Sequence, residues 1–95
     1  MLRIICLAGD DLFSKWVTVK NHDAQSFDPV LEVTGFSLSH CLSYCQSGHP
    51  VNCRAVVFHS SGLCKFYDVS RFSNADFVLT ESSQFDYFEF SDYGK

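Results

Sequence analysis

Four closely spaced cysteines, Cys41, Cys45, Cys53 and Cys64, in the pattern C-x3-C-x7-C-x10-C, set the terms on which this chain folds. A chain of 95 residues buries only about two-thirds of its unfolded surface, so its apolar core alone is marginal and cross-links carry weight. The fifth cysteine, Cys6, lies far upstream in a different setting. An even cluster with an outlier predicts two internal disulfides and one unassigned thiol. Disulfides in turn imply an oxidising compartment. The segment Met1–Gly9 carries a basic residue, a short apolar stretch and small residues, but its apolar part is at or below the low end of a secretory core. It reads as a truncated leader or an incomplete start. The alternative is an ordinary N-terminal strand that buries the Cys6 thiol.

Composition removes several other classes. With 46% hydrophobic residues and 16% aromatics, the chain gathers too much apolar surface to stay disordered. The longest uncharged apolar run, Ile4–Ala8, is far too short to span a bilayer. A net charge of −4 argues against a nucleic-acid partner held through its phosphates. No Asn-x-Ser/Thr site marks the chain for glycosylation.

Periodicity changes once along the chain. Residues 15–20 and 30–34 read as short strands, the second ended by Gly35, with a polar loop at 21–29 between them. Leu38, Cys41, Leu42 and Cys45 then follow helical spacing and form one apolar stripe. Ser37 is placed to cap this helix, and Gly48 with Pro50 stops it near Ser47. After the helix every apolar cluster looks like strand. Residues 54–59 form a nearly continuous apolar run, as expected of a central strand buried on both faces. Ser60-Ser61-Gly62 turns the chain into a returning strand at 63–67. A polar loop spans 69–76, and further strands are expected at 77–80 and 85–90. One helix among five or six strands predicts an α+β domain in which the helix covers one sheet face.

Cys41 and Cys45 share a helical face and are poorly placed to bond each other without unwinding a turn. Two connectivities remain. Cys45 to Cys53 is the local choice, which leaves Cys41 with Cys64. The competing reading is a zinc site of four thiolates. Its spacing departs from zinc knuckles, whose ligands come in close pairs from turns. A redox role lacks a C-x-x-C motif.

The segments Gly35–Cys45, Cys53–Phe58 and Gly62–Phe66, ending in Phe85–Glu89, together resemble the PAN/apple domain family over about Phe13 to Phe90. The resemblance implies a curled antiparallel sheet of about five strands packed around a single α-helix. It also implies the Cys41–Cys64 and Cys45–Cys53 pairing. Many family members join their termini with a third disulfide. Here Leu12 and Phe90 stand where those two cysteines are expected, so both positions look lost together. The expected organisation is an N-terminal segment at 1–11, a PAN/apple-like domain at 12–91 and a tail at 92–95.

Catalytic constellations are weak. His40 abuts Cys41, yet neighbouring helical residues point about 100° apart and Cys41 is better explained as a bridge. Ser60-Ser61-Gly62 lacks a nucleophile-elbow context. Asp86 and Glu89 are expected on opposite strand faces, and Asp10-Asp11 and Asp23/Asp28 do not follow calcium-loop spacing. His22, His49, His59 and all these carboxylates read as solvated surface. Most aromatics of the second half must be core. In the last strand Asp86, Phe88 and Phe90 share one side and Phe85, Tyr87 and Glu89 the other. One of these sets is expected to be partly exposed as a protein-contact patch, unless a neighbouring segment covers it.

The function expected from this reading is a non-catalytic, secreted binding or adhesion domain that recognises protein or glycan and uses no cofactor. The alternative is a structural or dimerising domain of an extracellular, cuticle-like assembly, with a homodimer linked through an unpaired Cys6. An intracellular zinc domain is the third reading.

Overall fold

The computed structural model describes residues 16–49, 52–71 and 73–90. Within them the chain forms β1 (Trp16–Val19), β2 (His22–Asp23), β3 (Leu31–Val33), α1 (Leu38–Gln46), β4 (Ala55–His59), β5 (Cys64–Tyr67), β6 (Thr80–Glu81) and β7 (Phe85–Phe90). Five strands make an antiparallel sheet in the order β1-β7-β4-β5-β3, and β2 pairs with β6 separately. The fold is α+β, as the change of period predicts. The apolar run of β4 lies at the centre of the sheet, where both its neighbours and both its faces are covered.

The helix begins and ends where its sequence signals place it. Ser37 accepts the His40 N–H at 3.2 Å and closes the first turn. Gly48 adopts φ +96°, which only glycine enters without strain, and donates to the Cys45 carbonyl at 3.0 Å. Pro50 lies outside the described residues. Cys41, Leu42 and Cys45 are buried, and they lay the helix on β4 and β5. Two disulfides, Cys41–Cys64 and Cys45–Cys53, fasten it there, with Cα separations of 6.2 and 5.3 Å. The four sulfurs are therefore held in S–S bonds, and the thiolates a zinc site requires are consumed.

Each sheet face has its own core. Toward the helix, Val56, Cys64, Phe66 and Phe88 pack with Trp16, Cys41 and Leu42. On the opposite face Ala55, Val57, Tyr67 and Tyr87 pack with Ala24 and Phe77. The alternation of β7 divides its residues as expected, but neither set forms an exposed patch. Tyr87, Phe88 and Glu89 are buried, and Phe85, Asp86 and Phe90 are half-buried. The face carrying Tyr87 and Glu89 is roofed by Ala24, Phe27, Val69, Phe77 and Leu79. The coverage comes from loops whose polar composition hid the few apolar side chains that do the covering.

Three further departures have local causes. Residues 21–29 are not purely loop: His22 and Asp23 pair with Glu81 and Thr80, a contact too short to leave a periodic pattern. Residues 77–79 are not strand. Phe77 plugs the second core while its N–H donates to Asn74 at 3.0 Å, so its burial follows a turn rather than a ladder. Asp23 and Glu89 are not solvated. Asp23 accepts from Lys65 at 2.8 Å and from the Ala24 N–H at 2.7 Å, and Glu89 is held by Arg71 and Tyr87. Charge partners distant in sequence make both burials tolerable.

Candidate binding cleft

At one end of the sheet three connecting segments converge. The β1–β2 turn brings Lys20 and Asn21, the β4–β5 connection brings Ser60 beside Phe58, and the turn before β7 brings Ser83 and Gln84 beside Asp86. These seven side chains line a cleft of about 250 Å3. The sheet fixes the convergence: Val19 faces Tyr87 in register, so the residues that follow one and precede the other meet at the same edge.

Hydrogen bonds hold the cleft walls. Asn21 takes φ +61°, a left-handed conformation that asparagine tolerates. Its N–H donates to Asp86 Oδ1 at 2.9 Å and its carbonyl accepts from Ser82 at 2.8 Å. Asp86 thus binds the turn with one oxygen, while Oδ2 lies 4.0 Å from Lys20 Nζ. Across the cleft, the Ser61 N–H donates to His59 Nδ1 at 3.1 Å. Nδ1 must therefore carry a lone pair, which places the ring proton on Nε2. That proton is donated to Gln84 Oε1 at 3.1 Å, and the Gln84 NH2 is left as a donor pointing away from His59.

Tyr67, Arg71 and Tyr87, whose proton affinities are shifted, belong to the opposite face rather than to the cleft. Burial, then the hydrogen bond to Glu89, pushes the Tyr87 phenol far above its ordinary value. Burial and nearby Asp23 do the same to Tyr67. The hydrogen bond to Glu89 raises Arg71 further. His22, His40 and His49 stand apart from one another along the chain and none lines the cleft. His40 stacks on Phe36 at 3.9 Å and His49 on Tyr44 at 5.1 Å. Among the described residues no three His, Cys, Asp or Glu side chains are grouped to hold a metal ion.

Of the sequence-derived site residues, the structure brings together the four bridged cysteines. Cys6, Leu12 and Phe13 lie outside the described residues. Phe90 stacks on Trp16 with ring centroids 4.2 Å apart, an aromatic contact that joins β1 to β7. The cleft itself was missed. Ser83 and Gln84 carry no motif, and Lys20, Ser60 and Asp86 read singly as strand end, turn and solvent-facing carboxylate. Their common signal is only that each flanks a predicted turn.

No curated relative matches the chain. No helix among the described residues is long and apolar enough to cross a membrane. The family model of the PAN domain matches residues 6–93. PAN domains are binding and adhesion modules of extracellular proteins that take protein or carbohydrate ligands, and are not catalysts. With that match over nearly the whole chain, and with the helix, sheet and two bridges in the expected arrangement, the chain belongs to the PAN domain family.

Proposed function

We propose that the chain is a non-catalytic extracellular binding domain, centred on residues 12–91, that recognises its protein or carbohydrate ligand through the cleft at Lys20, Asn21, Phe58, Ser60, Ser83, Gln84 and Asp86. One observation carries the reading. Both sheet faces are spent on internal cores, whereas this cleft gathers charged, amide, hydroxyl and aromatic groups from three turns set on a rigid sheet. The disulfide staples suit the oxidising exterior in which such domains work. The test is binding of a fluorescently labelled secreted chain to intact cells or extracellular matrix. Lys20→Glu combined with Gln84→Ala should abolish retention, and retention equal to that of the parent chain would overturn the assignment.

A second reading has its own support. Five cysteines, four of them bridged to each other, leave Cys6 no cysteine partner within the chain. A domain that links copies through Cys6 would run as a dimer on a non-reducing gel, and Cys6→Ser would return it to a monomer. A monomer in both lanes sinks that reading.

A further inference from the structure

We propose that the cleft is a saccharide site selective for neutral over anionic sugars. This rests on the preceding reading that the cleft is the contact surface. Its volume, about 250 Å3, lies below the roughly 300–1,000 Å3 of pockets that enclose drug-sized molecules. It suits a ligand of one ring. An apolar protein anchor is a poor occupant, because hot-spot pockets are dry and well packed, whereas this lining holds two opposite charges, two amides and two hydroxyls around one phenyl ring.

The polar groups match a ring that carries several hydroxyls. Asp86 spends one lone pair on Asn21 and keeps acceptor positions for ligand O–H groups. Gln84, oriented by His59, presents two N–H donors, and Ser60 and Ser83 each donate and accept. Phe58, packed against the helix-side core, supplies the apolar wall that the C–H face of a sugar ring requires. Asp86 and Gln84 are held by hydrogen bonds within the protein before any ligand arrives, which lowers the ordering cost of binding.

Charge selects among sugars. Lys20 and Asp86 face each other across 4.0 Å, so the cleft has no net charge. A sulfate or carboxylate brought to Lys20 also meets Asp86, and the chain as a whole carries −4. Sulfated and sialylated glycans are therefore disfavoured both at the site and on approach.

The experiment presents the labelled chain, as a multivalent conjugate, to immobilised glycans ending in neutral hexoses, sialic acid or sulfated sugars. Retention on neutral glycans is expected. It should fall about tenfold or more for Gln84→Ala and for Asp86→Asn, which keeps the oxygen that accepts from Asn21 and so preserves the turn. Ser43→Ala, on the exposed side of the helix, should leave retention unchanged. Retention confined to anionic glycans, or on no glycan at all, overturns the proposal. If the cleft variants still abolish capture on cells while every glycan is silent, the saccharide assignment fails and the binding cleft stands. If the variants alter neither assay, both fail.

Discussion

Arg71 reaches from the long loop before β6 to grip both oxygens of Glu89, with Nη2 2.6 Å from Oε2 and Nε 3.2 Å from Oε1. Glu89 is fully buried in the last strand, and the Tyr87 hydroxyl completes its shell at 2.6 Å. The pair ties the roof of the second core to the sheet.

Removing Arg71 leaves the buried carboxylate, among the described residues, with the Tyr87 hydroxyl as its donor. Breaking a fully buried pair costs about 3–5 kcal/mol. The Arg71 side chain is 41% exposed, so solvent screening lowers the expected cost of Arg71→Ala to about 2 kcal/mol. Urea unfolding followed by tryptophan fluorescence measures it. A change below about 0.5 kcal/mol would show that the clamp contributes little to stability.

Alkali should unfold the domain through its tyrosines. Tyr67 and Tyr87 both have folded-state values raised above the ordinary value of 10.0, by burial first. Above that ordinary value the unfolded chain loses protons that the folded chain keeps, so stability is intact below it and falls as pH rises further. The slope approaches about 1.4 kcal/mol per pH unit for each phenol. Phenolate absorbance of these two residues should appear together with loss of circular dichroism. Their ionisation within a folded domain would contradict the burial argument.

The two bridges should differ in weight. Cys41–Cys64 closes a sequence separation of 23 and Cys45–Cys53 one of 8. On loop-closure entropy they stabilise by about 3.4 and about 2.5 kcal/mol. Serine replacement of the first pair should therefore lower the denaturation midpoint more than replacement of the second. Peptide mass mapping checks the pairing itself. Cys41→Ser should expose Cys64 to alkylation, and labelling of Cys53 instead would refute it.

Phe90→Ala should loosen the edge of the sheet. It removes the ring stacked on Trp16, a residue only 7% exposed. A loss of about 1.5 kcal/mol is expected, below that of a fully buried aromatic because Phe90 is half-buried. Amide exchange should accelerate most at β1 and the paired end of β7. Uniform acceleration across the sheet would show that the stack acts on the whole domain rather than on its edge.

What the sequence reveals about this protein follows the range of the interactions involved. The helix was legible because its signals are local: Ser37, the Leu38–Cys45 stripe and Gly48 all lie within a few turns. The central strand was legible because Ala55–Phe58 is apolar on both faces. The burial of Asp23 and Glu89 was not, since their partners Lys65 and Arg71 lie on other elements and no spacing rule connects them. The cleft was hidden for the same reason. Its residues become neighbours only after β1, β4 and β7 have been placed side by side.

That placement also gives the described sheet two distinct poles. Trp16 and Phe90 are paired in register at one end of neighbouring antiparallel strands, so the described sheet begins and finishes at a single corner. Lys20 follows β1 and Asp86 lies near the start of β7, at the other end of the same pair. The cleft thus lies at the pole of the described sheet opposite that corner. A ligand held in the cleft would therefore leave the Trp16–Phe90 corner uncovered.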